Sequence, residues 1–544
     1  RETNWRGDNV EVTPLHAEID WGESSIQLSE FYQLLEENPS MNGVMQVNYS
    51  AAIFAHFPTR EERVLAAAKY AAEWVREANI EKGLGVKYWE IGNEIGRPWT
   101  PTGGNVNPET GYPDPSLGQH TVNGQEYAED FVVFAREMKK VDPTIKVGAC
   151  GDFHDNFTND CMQNPEFVEA CDWMGVHDYY GTWDASHSEA ELKSQGDMVQ
   201  ETADRYRNIF QSAGYDRDVI PLALTEWNTA SVGNYATLSI GGAILHAKAV
   251  GKEIEAGYGM INMFAMSDVW RNKGDLGLIS NWSSSAPQEN GFNEPTYPEG
   301  TPSPIFYTYA YYAKTFGDKL VQTSSSDDVV RAYSSVFTNS PHATTTVLIN
   351  EENQSKIAEI NTGGQPQNFY FYEISPVDQN DFFSTQIEVN GVGNENDSFV
   401  GGPLHFEDIP PYAASAQDGI RLEMKPYSIY FVVVSEEQPV LSGIRIKEFQ
   451  QRLSLGRPFQ FEIEYLDQNG NPMACDETPD FEVSGGGTLD NSGAYTPDQS
   501  GLFEVSATVT DDEGNVFQAD PFEFGVTSKT STLVSNSELG GLLT

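Results

Sequence analysis

At 544 residues, with 39% hydrophobic and 12% aromatic content, the chain is too long for one core and too apolar to be disordered, so two to four domains are expected. Its 32 basic against 81 acidic residues give a formal charge of −49, which excludes nucleic acid and anionic membranes as natural partners. No run reaches the ~20 apolar residues of a membrane span, so no membrane insertion is expected, and the acidic balance suits a secreted or cell-surface protein.

The sequence opens on Arg1 without a signal-peptide pattern, and removal of an upstream segment is the expectation. Residues 1–27 are polar, with Trp5 and Trp21 but no strand-like run, and read as a loop following a strand. From about residue 28 to 320, apolar strand-like runs alternate with helical segments. Strands are expected at 43–49, 86–92, 144–149, 172–177, 219–226 and 257–266. Helices are expected at 61–78, where strong helix formers carry a 3.6-residue apolar repeat, and at 127–141, 189–213 and 239–256. Residues 100–124, rich in Gly, Pro and Asn, read as a long loop. This alternation predicts the α/β class with a parallel sheet, and a (β/α)8 TIM barrel is its commonest large form. Six strands are legible, not eight. The first two βα units are absent from the pattern, so either an additional polypeptide segment completes the barrel or the chain is a fragment, because a six-stranded open sheet exposes its edges.

From about residue 328 the pattern becomes short alternating runs at 329–336, 344–349, 368–374 and 428–434, separated by Gly, Asn, Pro and Ser turns. That predicts an antiparallel β-sandwich. Residues 435–439 read as a linker, and 440–526 as a strand-rich block of the length of one immunoglobulin-like domain. The expected division is a barrel over 1–322, a β-sandwich over 323–436, an immunoglobulin-like domain over 437–526 and a Ser/Thr/Gly-rich tail over 527–544. Cys150, Cys161, Cys171 and Cys475 are too few for a disulfide framework and lack zinc-site spacing. Buried thiols with at most one local bridge are expected.

Two strand-like runs end in an acid. Residues 86–94 read Val-Lys-Tyr-Trp-Glu-Ile-Gly-Asn-Glu, and 222–228 read Leu-Ala-Leu-Thr-Glu-Trp-Asn. They deliver Glu94 and Glu226 to the C-terminal ends of strands, where barrel active sites are built. Two such carboxylates are what glycosidic-bond hydrolysis requires. A glutamic acid among apolar neighbours suits a general acid, which assigns that role to Glu94; Glu226 is then the nucleophile. Asn93 can hydrogen-bond a sugar hydroxyl. His177 and Tyr179 alternate onto one face at the end of another strand, where the tyrosine hydroxyl can donate to the nucleophile and hold it ionised. Trp270, at the end of the last strand, offers a flat platform for a sugar ring. Asn48 and His154 end other strands and are weaker candidates. Neither a metal nor an organic cofactor is required by this chemistry.

Tyr-Trp-Glu-Ile-Gly-Asn-Glu (88–94), His-Asp-Tyr-Tyr-Gly (177–181) and Thr-Glu-Trp-Asn (225–228) resemble the retaining clan A glycoside hydrolases. The likeness extends over residues 28–435 and is strongest to the α-L-arabinofuranosidases and to agarase-type enzymes built from a barrel plus β-sandwich. In that clan the acid/base Glu follows an Asn at the end of the fourth strand and the nucleophile ends the seventh, positions matched by Asn93–Glu94 and Glu226. The resemblance implies a retaining hydrolase of polysaccharides or oligosaccharides, exo-acting on arabinofuranosides or endo-acting on agarose or galactan. It also implies that the sandwich packs on the barrel. The chain departs from the family in the missing strands, where the family carries an Arg-containing segment near the substrate. The rival from another class is a non-catalytic carbohydrate-binding or structural surface protein built on a hydrolase-derived barrel.

Overall fold

The computed structural model describes residues 28–38, 41–49, 52, 59–96, 122–151, 155–180, 188–229, 235–267, 276–279 and 300–527, the last span less short internal stretches. Its first part alternates strands and helices: α1 (Leu28–Glu37), β1 (Val44–Val47), α2 (Arg60–Val75, continued as a π-helical turn to Glu81), β2 (Tyr88–Ile91), α3 (Gly124–Val141), β3 (Lys146–Ala149), α4 (Asp155–Met162), α5 (Pro165–Ala170), β4 (Trp173–Tyr179), α6 (Glu189–Gln195), α7 (Val199–Ser212), β5 (Leu222–Asn228), α8 (Ile240–Glu255), β6 (Met260–Met263) and α9 (Pro304–Thr315). The strands pair in chain order, β1 to β6, and every pair is parallel.

Local sequence explains the helix starts. Thr59 and Glu62 form a reciprocal capping box at α2, Asn123 accepts from Glu126 N at α3, and Ser239 accepts from Gly242 N at α8. Lys139 and Lys140 lie in the last turn of α3, where the helix dipole favours cations. In β2, Trp89 and Ile91 are fully buried and alternate with Glu90, which therefore points to the opposite face of the sheet. Among the described residues, no helix is long and apolar enough to cross a membrane.

The second part is antiparallel: β7 (Lys319–Val321), β8 (Val330–Phe337), β9 (Ser340–Asn350), β10 (Lys356–Ile360), β11 (Gln367–Pro376), β12 (Ile387–Val389), β13 (Tyr412–Ala416), β14 (Ile420–Met424) and β15 (Ser428–Ser435). Six strands run in the order β12-β11-β15-β9-β8-β7, β13 adds to β11, and β10–β14 form a separate ribbon. One face of the large sheet covers the ribbon through Leu348, Tyr430, Val432 and Leu422. The other face joins the core of the first part, with Tyr311 and Tyr312 of α9 against Tyr372 and Phe431 at ring distances of 4.5 and 5.3 Å. The backbone N–H groups of Ile240 and Gly241 donate to Ser384 and Phe382. The two parts therefore share one hydrophobic interior. Residues 440–527 form further short strands around a separate core of Phe461, Phe481, Tyr495, Val505 and Phe524.

Several boundaries differ from expectation for physical reasons. The helix expected at 189–213 is two helices broken at Gly196, where a Cβ would stand 2.9 Å from Lys248 Cδ of α8. The strand expected at 257–266 is only Met260–Met263. Helices α1, α4, α5 and α9 were not expected; α5 and α9 carry Pro in the first turn, where the missing N–H costs nothing. Cys150, Cys161, Cys171 and Cys475 are all free thiols; Cys161 Sγ donates to Gly124 O and Cys171 Sγ to Trp173 O.

The seam between the two parts depends on small residues. At Gly251 of α8, a Cβ would meet the Tyr333 ring of β8 at 2.4 Å. Gly251→Val should destabilise the protein by roughly 1–3 kcal/mol through overpacking, measured by denaturant unfolding, and an unchanged midpoint would refute this packing.

Candidate active site

The backbone after β2 is built to present an acid. Gly92 turns the chain at φ +80°, and a Cβ there would lie 2.2 Å from Ile95 Cδ1, so only glycine fits. Glu94 then takes φ +46°, a left-handed conformation that costs a non-glycine residue about 1 kcal/mol. Neighbouring contacts hold it there. Ile95 is fully buried, and Tyr127 of α3 ties the ends of β2 and β3 by donating to Ile91 O at 2.7 Å and accepting from Cys150 N at 3.1 Å.

Glu226 arrives by a different device. The β4–β5 register runs Val176 to Leu224 and then His177 to Glu226, so one extra residue, Thr225, is inserted in β5. The register with β6 shifts over the same stretch. Such a bulge re-aims side chains. Here it lets two successive residues face the sheet interior: Thr225 donates to Glu90 Oε1 at 3.3 Å, and Glu226 stands beside His177.

His177 is where the site converges. Its Nδ1 lies 2.9 Å from Glu94 Oε1 and 3.4 Å from Glu226 Oε2, and Tyr179 donates a short hydrogen bond to Glu226 Oε1. The facing atoms of Glu94, His177 and Glu226 all lie within 4.8 Å of one another. The Glu94 side chain is 9% exposed and that of Glu226 is 22% exposed, so the nucleophile candidate is the more open of the two. Burial penalises a charged His177, but the hydrogen bond with Glu94 and the charges of Glu226, Glu90 and Glu94 outweigh it and raise its proton affinity.

A third carboxyl lies alongside. Glu90 is fully buried, and burial pushes it up to about 7, with a smaller push from Glu226. The charge of His177 and hydrogen bonds from Thr225 and Gln46 oppose that rise. A Cβ at Gly175 of β4 would stand 2.6 Å from Glu90 Oε1, so the glycine makes room for the carboxyl. Gln46 of β1 reaches Glu90 Oε2 at 3.4 Å and Asn93 Oδ1 at 3.1 Å.

Of the residues singled out from sequence, Glu94, Glu226, His177 and Tyr179 are brought together. Asn93 is exposed next to Glu94, with its Oδ1 engaged by Gln46, and Asn48 is half-buried just past β1. Trp270 and His154 lie outside the described residues. Sequence reading missed Glu90, Gln46 and Thr225. The alternation Trp89-Glu90-Ile91 was the available signal for the first, since it turns Glu90 away from its apolar neighbours. Gln46 and Thr225 depend on register and on the bulge, which carry no sequence signature.

The elevated Glu90 has a consequence for stability. An exposed Glu titrates near ~4.3, so the folded protein holds a proton that the unfolded chain releases. That stabilisation is fully present below about pH 4.3 and is lost as pH rises through about 7. Glu90→Gln removes the dependence, and the variant should gain on the parent protein in thermal unfolding as pH is raised from about 5 to 8. A constant difference across that window would contradict the shift.

No family profile matches the chain. Over 164 residues it is 24% identical to the intracellular exo-α-(1→5)-L-arabinofuranosidase 1 of Bacillus subtilis (strain 168), a match covering 29% of this chain and 29% of that protein. Among solved structures, an arabinofuranosidase crystal structure superposes with a TM-score of 0.52 at 15% identity, covering 75% of this chain and 79% of the other. The α-L-arabinofuranosidase of Thermotoga maritima in complex with arabinose gives a TM-score of 0.52 at 16% identity, with the same coverage. The fold of this chain is similar to that of the α-L-arabinofuranosidases.

Proposed function

We propose that this chain is a retaining glycoside hydrolase of the α-L-arabinofuranosidase type, with Glu94 as acid/base and Glu226 as nucleophile. The observation that carries the reading is the approach of these two carboxylates to within 4.8 Å, oxygen to oxygen. Retaining enzymes hold their carboxyl groups ~5 Å apart, whereas inverting ones leave room for a water between them.

The chemistry follows from the contacts. Tyr179 donates to one Glu226 oxygen, which favours the carboxylate and leaves the other oxygen to attack the anomeric carbon. As that bond forms, the glycosidic bond breaks, and Glu94 gives its proton to the departing oxygen. Glu94, now a carboxylate, then takes a proton from a water that attacks the anomeric carbon and releases Glu226. His177 bridges both acids, so it moderates their charges in each half-reaction. The Asn93 amide, held through its oxygen by Gln46, is the donor proposed for a sugar hydroxyl. Asn48 and Trp270 are proposed to line the sugar site.

The same reading extends to architecture and setting. Every residue of β6 is only half-buried, as befits an edge strand awaiting a partner, and this supports closure of the sheet into an eight-stranded barrel by an additional polypeptide segment. The separate core of residues 440–527 supports the immunoglobulin-like assignment of that block. The charge of −49 supports a secreted or surface location.

Glu226→Gln should abolish turnover of an aryl α-L-arabinofuranoside while leaving the fold intact. Glu94→Ala should slow substrates with poor leaving groups by about 10²–10⁴ and spare activated aryl substrates far more. NMR of the first-formed product should show the configuration of the substrate. Unchanged turnover in Glu226→Gln, or an inverted first product, would overturn the assignment. Shortening of agarose without aryl-arabinofuranoside cleavage would shift the reading to an endo-acting galactan hydrolase; binding without turnover would shift it to a carbohydrate-binding protein.

A further inference from the structure

Three carboxyl groups act on one imidazole in this site. His177 meets Glu94 from the turn after β2 and Glu226 from β5, the charge of Glu90 on β2 also acts on it, and Tyr179 of β4 joins the set through Glu226. The charged groups acting on Glu90 are His177 and Glu226. One cation cannot neutralise three acids in a buried space, so protons must be shared among them. The hydrolase reading uses Glu94, Glu226 and His177 and leaves Glu90 without a task. Yet Glu90 is 3% exposed, and its hydrogen bonds, from Gln46 and Thr225, are long at 3.4 and 3.3 Å. Burying a carboxyl group behind two such long hydrogen bonds is costly.

We propose that Glu90 is a positioning residue whose charge acts through His177 to keep the proton shared by His177 and Glu94 in place on the alkaline side of the activity range. This rests on the hydrolase reading above. The Nδ1–Oε1 separation of 2.9 Å makes His177 and Glu94 a proton-sharing pair. At acid pH the buried Glu90 holds its own proton and leaves the pair undisturbed. Near neutrality it ionises, and its negative charge strengthens the pair's hold on the proton as solvent begins to remove it. Gln46 adds a second link, because one amide nitrogen reaches both Glu90 and Asn93 and so couples the buried acid to the sugar-facing amide.

The test is the pH profile of kcat/KM on an aryl α-L-arabinofuranoside for the parent protein, Glu90→Gln, Glu90→Asp and Glu226→Gln. In Glu90→Gln the alkaline limb should move to lower pH by on the order of one unit, with the acid limb in place. Glu90→Asp, which keeps the charge, should restore the alkaline limb. An alkaline limb that stays where it was, or an equal loss of rate at every pH, overturns the proposal. If Glu90→Gln does not fold, Thr225→Val removes a hydrogen bond that favours the ionised Glu90 and should move the same limb in the same direction by less; an unmoved limb overturns the proposal there too. A Glu226→Gln variant that still turns over sinks the hydrolase reading itself, whereas an inactive Glu226→Gln beside an unmoved Glu90→Gln limb sinks only the role of Glu90.

Discussion

One imidazole nitrogen organises this site. His177 Nδ1 lies within hydrogen-bonding or ion-pairing distance of both Glu94 and Glu226, and the two acids can stand this close only because a proton or a positive charge is available between them. Without it, two carboxylates with oxygens inside 4.8 Å would repel each other in a largely buried site. The charge of the buried Glu90 adds to the pull of the two acids on a proton at that nitrogen. Reaction chemistry, burial and backbone geometry therefore meet at His177.

The scaffold reaches this arrangement by departures from regular structure. Glu94 occupies a left-handed backbone conformation after a glycine that no other residue can replace, and Glu226 follows an inserted residue in its strand. Backbone strain and bulges of this kind persist where the surroundings over-determine them. Here the surroundings are Ile95 and Tyr127 on one side and His177 with Tyr179 on the other. Asn228 adds a clamp at the end of β5: its Nδ2 donates to Phe264 O at 2.6 Å, and its Oδ1 accepts from Thr229 N and faces His246 Nε2. Burial keeps His246 neutral by pulling it down to about 3.

Much of this was legible in the sequence, for definite reasons. Strand-length apolar runs ending in Glu fixed where Glu94 and Glu226 would lie along the sheet, and period-two alternation put His177 and Tyr179 on one face. Six parallel strands and a later antiparallel part followed from the change in periodicity. What stayed hidden depended on register and on packing between distant segments. Glu90 was submerged in an apolar run, and only its pairing opposite Gln46 reveals its neighbourhood. The Thr225 bulge is set by the flanking strands. The break at Gly196 answers to Lys248, some fifty residues away in sequence, and the aromatic helix α9 hid in a stretch rich in Pro and Gly.

The most direct measurement is to trap the covalent intermediate. Incubation with a fluorinated α-L-arabinofuranoside bearing a good leaving group, followed by peptide mass spectrometry, should find one sugar attached to Glu226 and none when Tyr179, Glu94 and His177 are present but Glu226 is replaced by Gln. A sugar attached to another residue, or hydrolysis that proceeds without any adduct, would contradict the account.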